Sequence, residues 1–298
     1  MHTVKVIAMI NQKGGVGKTT SVVNLGAALA AAGRSVCLID LDPQAHMTLH
    51  LCPEPPAGPS TYDLLTQQAS MDAVAVKAAD RLWMAPAVID LAAAEMELAG
   101  VAGREQILRK ELAATAAADW EFVLIDCPPS LGLLTLNALA AADEVIIPLQ
   151  PHFLALQGLG KLLETISLVQ HRINPRLRVA GVILCMYEAN TRLAGEVVAD
   201  LEAFFATAKG TDSPWSNARI FKSIIRRNIK LAESPSFGQT IFQYEPASHG
   251  AADYAALAGE FVEWDQLRRQ EDQAHAAAET ARKQATAAAD TAIETDQP

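Results

Sequence analysis

The residues with the clearest potential for chemistry lie near the start of the chain, in the run Asn11-Gln12-Lys13-Gly14-Gly15-Val16-Gly17-Lys18-Thr19-Thr20. An apolar run over residues 4–10 precedes this loop, and a helix-forming stretch over residues 21–32 follows it. A strand that turns through glycines into a helix gathers backbone N–H groups and the positive end of the helix dipole at one point, which suits a phosphate chain. In such a loop Lys18 supplies positive charge to the β- and γ-phosphates of a nucleotide, and the Thr19 hydroxyl binds Mg²⁺.

The loop departs from the common phosphate-loop pattern G-x-x-x-x-G-K-[ST] in one place, because Gln12 stands where the first glycine belongs. It also carries a second lysine, Lys13, just inside the loop. A glycine-rich turn that holds lysines by chance is the alternative. The strand before the run and the helix after it favour the phosphate site.

Two later strand-like runs end in aspartate. Residues 35–41 lead into Asp40-Leu41-Asp42-Pro43-Gln44, and residues 122–125 lead into Asp126, which is the arrangement of a Walker B strand. Hydrolysis on a phosphate loop needs a carboxylate near the attacking water or near the metal ion. Each aspartate alone could be an ordinary turn residue. Because ligands bind at the carboxyl ends of strands in open α/β sheets, the aspartates and the loop together predict one site built at separate strand ends.

The chain as a whole alternates strand-like and helix-like stretches, which predicts an α/β fold with a doubly wound, mostly parallel sheet and helices on both faces. Strands are predicted over residues 4–10, 35–41, 81–86, 120–126, 144–149, 177–185 and 219–225. Helices are predicted over residues 21–32, 62–68, 89–118 (divided near Gly100 and Gly103), 131–141, 156–171, 191–206 and 246–264.

Composition narrows the class of protein further. A chain of 298 residues that is 50% hydrophobic can bury a large core. No apolar run reaches the length of a membrane span and no charged-then-apolar leader opens the chain, so we expect a cytoplasmic protein. The four cysteines have no C-x-x-C spacing, which argues against a disulfide framework and against a tetrahedral metal site.

The composition changes beyond Trp264. Residues 266–298 contain almost no large apolar side chains and are dominated by Ala, Gln, Glu, Asp and Thr. A docked helix is one interpretation, since alanine favours helix. Little apolar surface is available to offset the entropy of ordering, however, which favours a flexible segment. We therefore predict a domain over residues 1–264 and an Ala-rich, flexible tail over residues 265–298.

A basic segment lies within this acidic chain, whose net charge is −10. Within twelve residues that contain no acid stand Arg219, Lys222, Arg226, Arg227 and Lys230. Such a run is compatible with a solvated charged loop. It is equally compatible with a surface that follows DNA phosphates without reading the sequence. Charge alone does not choose between the two.

These motifs together resemble the ParA/Soj branch of the deviant Walker A (ParA/MinD) ATPases, a class of P-loop NTPase. The matching segments are residues 13–20, 38–44, 123–132, 181–183, 191–193 and 227–238. The resemblance runs from about residue 4 to residue 260 and leaves the tail outside. Arg226 departs from it, because family members commonly carry proline before Arg-Asn, and Gln157 replaces a common glutamate.

The resemblance implies a role for each site residue. Lys13 would reach the phosphates held by the partner subunit, so that ATP bridges a homodimer. Asp42 would position the attacking water, Asp40 would support the switch segment around it, and Asp126 would hold Mg²⁺ through a water molecule together with Thr19. The implied catalytic set is Lys13, Lys18 and Asp42. The implied nucleotide-binding set is Lys13, Gly14, Gly15, Val16, Gly17, Lys18, Thr19, Thr20 and Asp40, with Asn228 and Pro235 over the adenine.

The resemblance also favours the DNA interpretation of the basic segment, with Arg192 as a neighbour. It implies a nucleoid-associated ATPase that cycles between ATP-bound dimers on non-specific DNA and released subunits. A ParB-like protein would stimulate its slow hydrolysis, and the cargo would be a chromosome or a plasmid. The acidic balance of the chain would favour an encounter with a basic partner segment.

Other functions on the same scaffold remain as alternatives. A MinD-like ATPase of the membrane surface needs a C-terminal amphipathic helix with basic and large apolar residues, which residues 266–298 lack. An iron–sulfur carrier needs paired thiolates at the dimer axis, and Cys127 has no close partner in the sequence. A ParA-like ATPase that positions a cargo other than DNA also fits. No membrane partner is expected.

Overall fold

The computed structural model describes residues 4–54, 57–115, 119–152, 155–188 and 192–294. In these ranges one sheet is formed by β1 (Lys5–Met9), β2 (Val36–Asp40), β3 (Val76–Ala79), β4 (Leu82–Ala85), β5 (Phe122–Asp126), β6 (Glu144–Leu149), β7 (Arg178–Leu184) and β8 (Arg219–Ile220). The strand order is β3-β4-β2-β5-β1-β6-β7-β8. Neighbouring strands are parallel except β3 and β4. The predicted α/β fold with a mostly parallel sheet is confirmed.

The same ranges contain the helices α1 (Lys18–Ala31), α2 (His46–Leu51), α3 (Thr61–Leu65), α4 (Met71–Val74), α5 (Leu91–Glu97), α6 (Ile107–Ala114), α7 (Leu133–Ala141), α8 (Ala155–Arg172), α9 (Arg192–Ala208), α10 (Ile229–Glu233), α11 (Ile241–Tyr244) and α12 (His249–Glu294). Short 3₁₀ turns lie at Arg104–Gln106 and Ser234–Phe237.

The central strands are continuous apolar runs. Every residue of β2 and of β5 is buried, so both faces of the sheet are covered, as a parallel sheet with crossover helices requires. On one side of β1 the sheet continues through β5, β2, β4 and β3, and on the other side through β6, β7 and β8. The carboxyl end of β1 therefore lies where the strand order reverses, which is where ligands bind in open α/β sheets.

Helix α1 packs very closely on β2. A Cβ atom added at Gly26 would come within 2.6 Å of Leu38 Cδ2, which is closer than carbon atoms approach without displacement. Gly33, with φ of 84°, lies just beyond the end of α1, where the left-handed conformation favours glycine. These two glycines fix the distance and the end of the helix that begins at Lys18.

The predicted strand over residues 219–225 was too long, because β8 ends at Ile220. Phe221 and Ile225 still donate their N–H groups to Val182 and Leu184 of β7, at 3.0 and 2.9 Å. The backbone thus passes from residue 221 to 225 while its partner strand advances only from 182 to 184. The extra residues form a bulge that leaves Lys222 exposed.

Several short elements were not predicted: β3 and the helices α2, α4, α10 and α11, none of which exceeds six residues. Helices of one to two turns contain too few residues to show a 3.6-residue period. The predicted division of the stretch 89–118 is confirmed, since α5 ends before Gly100 and α6 begins after Gly103. Residues 116–118 and Thr191, placed in helices by the sequence, lie outside the described residues.

By compactness the chain divides into a unit of residues 1–258 and a unit of residues 259–298. The predicted end of the last helix at Trp264 was wrong, because α12 continues to Glu294. Alanine has the highest helix propensity, which accounts for the extension through this Ala-rich sequence. The flexibility of residues 265–298 stays a prediction. None of the helices in the described ranges has the length and hydrophobicity that a bilayer crossing requires.

Candidate active site

Three strand ends carry the predicted site, and the register places them side by side. Asp126 at the end of β5 is paired with Met9 of β1 on one side and with Asp40 of β2 on the other. The phosphate loop, which follows β1, therefore begins next to Asp126 and two strands away from Asp40. The predicted meeting of loop and carboxylates at one edge of the sheet is what this register produces.

The phosphate loop is held open by two glycines and one asparagine. Gly15 and Gly17 have φ of 72° and 93°, a region in which other residues are strained. Asn11 donates its side-chain amide to Pro148 O at 2.8 Å, and its Oδ1 accepts the N–H of Lys13 at 3.0 Å. The loop is thereby tied to β6. Gly14 has open space where a Cβ would lie, and Val16 is buried.

Lys18 is buried at the first position of α1. Its Nζ donates to the Lys13 carbonyl oxygen at 3.3 Å, so the ammonium group spans the inside of the loop. Burial lowers the pKa of Lys18, while the negative charges of Asp126 and Asp42 raise it. The lysine thus lies among carboxylates in a shielded site, where its charge acts more strongly on a phosphate than it would in water.

Lys13, in contrast, is exposed and reaches away from the loop. Its Nζ lies 2.5 Å from His152 Nε2 in the segment after β6. Burial and the nearby Lys13 charge lower the pKa of His152, which keeps the imidazole neutral and able to accept this hydrogen bond. A cavity of about 210 Å³ lies beside the pair, lined by Asn11, Gln12, Lys13, Val16, Leu149, Gln150, His152, Ala155 and Gly158.

Asp126 is fully buried, and within the described ranges neither of its carboxylate oxygens has a hydrogen bond of ordinary geometry. Burial and the Asp40 charge raise the pKa of Asp126 well above its usual range, whereas the Thr19 hydroxyl and Lys18 lower it. Buried carboxylate oxygens without partners are costly unless a ligand satisfies them. Next to the hydroxyl of Thr19, they fit Mg²⁺, which prefers oxygen ligands and retains several of its waters.

Asp40 supports the turn that follows β2. Its Oδ2 accepts the N–H and the hydroxyl of Thr48 at 2.9 and 2.8 Å, and its Oδ1 accepts the N–H of Asp42 at 3.1 Å. The Thr48 hydroxyl in turn accepts the N–H of Ala87 at 2.9 Å. Burial raises the pKa of Asp40 to about 6. With these acceptors used inside the protein, Asp40 shapes the Asp42 turn, and its place in the nucleotide-binding set stays a prediction.

Asp42 lies just beyond the strand end and is 9% exposed. Its Oδ1 accepts the N–H of Gln44 at 3.0 Å, so one oxygen is held by the turn. Its charge also acts on Lys18. The predicted role of Asp42 in orienting a water molecule stays a prediction.

The predicted adenine segment is fastened to the helices beside the phosphate loop. Asn228 caps α10 by accepting the N–H of Lys230 at 2.8 Å, and Pro235 begins the following 3₁₀ turn. Further along, Ile241 donates its N–H to the buried Asn24 of α1 at 2.8 Å. His50 Nε2 of α2 contacts the Gln239 carbonyl oxygen at 3.0 Å. The segment is therefore anchored to the same helix that carries Lys18.

Most of the predicted DNA-contacting residues have acidic neighbours. Arg192 pairs with Glu196, Arg227 with Glu188, and Lys230 with Glu233, each at 2.9 Å. These pairs are at least partly exposed to solvent, and exposed pairs contribute little and exchange readily. Arg192 and Arg227 keep 93% and 72% of their side-chain surface exposed and remain available to a phosphate. Arg219 packs over the Phe221 ring at 4.7 Å, and Lys222 is exposed on the bulge after β8.

Arg226 differs from its neighbours because its acidic partner is buried. Asp253 of α12 accepts the Arg226 backbone N–H at 3.0 Å, its Nε at 3.1 Å and its Nη2 at 2.5 Å. The Asp253 side chain is only 8% exposed. These bonds engage Nε and Nη2 of Arg226 and the backbone N–H that a proline would lack, while 48% of the Arg226 side chain stays exposed. Asp253 therefore fixes the path of the loop at Arg226, and the DNA contact of Arg226 stays a prediction.

Several contributing residues were not predicted from the sequence. They are Asn11, Asn24, Thr48, His50, His152 and Asp253. The sequence did give a signal for Asn24, because this residue is the polar one in the otherwise apolar run of residues 22–32. The sequence gave no signal for His152 or Asp253, because their partners Lys13 and Arg226 lie 139 and 27 residues away along the chain.

Comparison with known proteins gives a consistent result. A family model described as an AAA domain matches residues 4–179. The sporulation initiation inhibitor protein Soj of Bacillus subtilis is 43% identical over 258 residues, which cover 86% of this chain and 97% of that protein. The chromosome-partitioning ATPase Soj of Treponema pallidum is 44% identical over 265 residues, which cover 89% of this chain and 99% of that protein.

A solved structure is similar over much of its length. Cobyrinic acid a,c-diamide synthase from Mycobacterium smegmatis, with a bound ATP analogue and magnesium, superposes with a TM-score of 0.67 at 38% identity. The match covers 82% of this chain and 97% of that one.

Proposed function

The chain belongs to the Soj/ParA family of chromosome-partitioning ATPases, and we propose that ATP joins two copies of it into a dimer that binds DNA without sequence preference. It is an ATP hydrolase that uses Mg²⁺. In the proposed cycle a ParB-like partner stimulates hydrolysis, the dimer separates, and the subunits leave the nucleoid. A chromosome or plasmid attached to the partner is positioned by repeated rounds of this cycle.

The observation that carries the proposal is the contrast between the two lysines of one loop. Lys18 is buried inside the loop, where it serves the nucleotide of its own subunit. Lys13 is exposed and turned outward toward His152. One buried lysine suffices for a phosphate loop. A second, outward lysine gains a purpose if it reaches the phosphates held by another subunit.

The residues around the loop divide the work of hydrolysis. The N–H groups near Gly15 and Gly17, together with Lys18, bind and orient the phosphates. Asp42 holds the attacking water, and Asp40 keeps the Asp42 turn in place. Thr19 and Asp126 would hold Mg²⁺, which neutralises charge on the β- and γ-phosphates when bound.

DNA binding is supported by the exposed cations of the basic segment. Arg227 and Lys222 reach solvent, and a homodimer would present them twice. Each contact between a cation and a DNA phosphate releases counterions. A dimer with twice as many contacts therefore binds DNA more tightly than a monomer, and its affinity falls more steeply as the salt concentration rises. Dimerisation would thus switch DNA binding on.

The deciding experiment measures mass and DNA binding together. We expect the Asp42→Ala variant with ATP and Mg²⁺ to elute as a dimer and to retard random-sequence DNA, and to do neither with ADP. Lys13→Ala in the same background should stay monomeric. A monomer under all nucleotide conditions would contradict the proposal, and a dimer that ignores DNA would restrict it to a cargo of another kind. Capture of proteins on the ATP-bound dimer would then identify the stimulating partner.

A further inference from the structure

Two neighbouring residues of α12, Asp253 and Tyr254, make contacts in different parts of the molecule. Asp253 holds the backbone and guanidinium group of Arg226, which begins the Arg-Arg-Asn stretch of the basic segment. Tyr254 is fully buried, and its hydroxyl lies 3.1 Å from Ser21 Oγ of α1. One helical turn therefore contacts both the basic segment and the helix of the phosphate loop.

Ser21 belongs to the first turn of that helix. It is fully buried, and its N–H donates to the Gly17 carbonyl oxygen at 2.9 Å. Any shift of the turn that carries Lys18 and Thr19 must move Ser21 with it, because residues in a helical turn are joined by backbone hydrogen bonds. Burial raises the pKa of Tyr254 well above its usual range, so the phenol stays protonated and can donate to Ser21.

A second series of contacts connects the first turn of α1 to Arg226, this time through the end of β7. Ser21 Oγ lies 3.6 Å from Cys185 Sγ, and a Cβ added at Gly17 would touch Cys185 at 3.5 Å. Cys185 follows β7 directly. Two residues later, Tyr187 forms a parallel bridge with Arg226, and its N–H donates to the Ile225 carbonyl oxygen at 3.0 Å.

The two paths close a ring of contacts that runs through Arg226, Asp253, Tyr254, Ser21, Cys185 and Tyr187. Ser21, Cys185, Asp253 and Tyr254 are buried, Tyr187 is half-buried, and Arg226 is exposed. Packed interiors shift between discrete arrangements rather than deforming gradually, so the buried part of the ring offers a route by which a displacement on one side could reach the other. One side of this ring is the floor of the phosphate loop. The other side is the start of the basic segment.

We propose that Tyr254 is a positioning residue that couples the state of the phosphate loop to the geometry of the basic segment, through Ser21 on one side and Asp253 on the other. This inference rests on the proposed function. When ATP phosphates settle on the first turn of α1, Ser21 moves. Tyr254 and Asp253 carry that movement to the Arg226 N–H, and the neighbouring Arg227 is brought into its DNA-binding position.

Tyr254→Phe tests the coupling, because it removes the hydroxyl and keeps the ring. Tyr62→Phe is the matched control, since the Tyr62 hydroxyl donates to Glu97 at 3.1 Å, outside the ring of contacts. The measured quantity is the ratio of Kd for a random-sequence duplex with ADP to that with a non-hydrolysable ATP analogue, each with Mg²⁺. We expect Tyr254→Phe to lower this ratio about five-fold, which corresponds to one neutral hydrogen bond, and to leave analogue affinity within about two-fold. Tyr62→Phe should match the wild type.

A double variant separates coupling from a merely structural role. Ser21→Ala with Tyr254→Phe replaces both hydroxyl groups by apolar groups, which is close to neutral for stability. We expect a melting temperature near that of the wild type together with the lowered ratio. A Tyr254→Phe ratio equal to that of the wild type would overturn the inference.

Amide hydrogen exchange of residues 226–228 distinguishes this failure from a failure of the proposed function. If the wild type ignores DNA with either nucleotide, the DNA-binding part of the proposed function falls. The coupling still stands if the ATP analogue changes exchange of these amides in the wild type and not in Tyr254→Phe. It falls if the two proteins respond alike.

Discussion

Lys13 Nζ lies 2.5 Å from His152 Nε2 of the same chain, although the two residues are 139 positions apart. The lysine proposed to reach another subunit is thus held by its own. A neutral imidazole offers one acceptor, and the ammonium group occupies it. The contact competes with the lysine's proposed place on the partner's nucleotide, so its loss should favour the dimer.

We therefore predict that His152→Ala lowers the ATP concentration at which half of the protein is dimeric by several-fold. His152→Gln, which keeps a side-chain acceptor, should resemble the wild type. Analytical ultracentrifugation over an ATP series, in the Asp42→Ala background to prevent turnover, measures the midpoint. A higher midpoint for His152→Ala would mean that the histidine assists the dimer instead.

Asp42→Ala should reduce the ATPase rate at least about 100-fold, which is the usual contribution of a group that positions or activates the attacking water. Binding of ATP and the melting temperature should change little, because among the described residues the Asp42 side chain accepts one hydrogen bond, from the N–H of Gln44. Phosphate release measures the rate. Asp80→Ala is the matched control, since this aspartate is 92% exposed on the β3–β4 turn. Full turnover in Asp42→Ala would exclude its assigned role.

Asp126→Asn should raise the melting temperature of the nucleotide-free protein and abolish the further rise that ATP with Mg²⁺ produces in the wild type. The first effect follows because the amide carries no charge, whereas the buried carboxylate has unsatisfied oxygens and lies next to Asp40. The second follows from loss of the metal-ion shell. Thermal unfolding with and without EDTA separates these two effects on the melting temperature. If ATP with Mg²⁺ raises the melting temperature of Asp126→Asn as much as that of the wild type, Asp126 does not help to hold the metal ion.

The adjacent residues Arg226 and Arg227 should behave differently. Arg227→Ala should weaken binding to all DNA sequences alike and lower the slope of log affinity against log salt by about 1, with no change in melting temperature. Arg226→Ala should lower the melting temperature, because buried Asp253 loses its partner. Fluorescence anisotropy over a salt series, alongside thermal unfolding, tests both. Equal melting temperatures for the wild type and Arg226→Ala would show that the hydrogen bonds between Arg226 and Asp253 do not stabilise the fold.

His50 should make the protein sensitive to acid. Burial lowers its pKa to about 4, below the ordinary value of 6.5. Between these two pH values His50 binds a proton in the unfolded chain but not in the folded one. The free energy of unfolding therefore falls as the pH drops from about 6.5 toward 4, by on the order of 3 kcal/mol. His50→Gln should remove this loss while keeping a donor for the Gln239 carbonyl. Asp40, whose pKa is raised to about 6, instead makes the folded state more stable as the pH falls. This contribution is the same in the wild type and in His50→Gln, so it cancels when the two are compared.

Urea unfolding of the wild type and His50→Gln at pH 7.5 and pH 5 measures the difference. Parallel pH dependence in the two proteins would show that His50 is charged in the fold.

The sequence alone determined the α/β fold, the phosphate loop and the aspartates at the strand ends. Each of these depends on residues that are neighbours along the chain: an apolar run, a turn through Gly15 and Gly17, and a carboxylate placed where a strand stops. Parallel strands then bring their ends to one edge of the sheet, so local patterns suffice to predict that these residues lie at the same edge.

Tertiary structure alone decided which side chains hold which. Nothing in the sequence pairs Arg226 with Asp253, Lys13 with His152 or Ser21 with Tyr254, and these partners lie 27, 139 and 233 residues apart. Five basic residues in one segment looked equivalent as charges, yet one of them is bracketed by a buried carboxylate and others stay exposed. A side chain's role depends on what the packed elements place beside it, and that arrangement is a property of the whole fold.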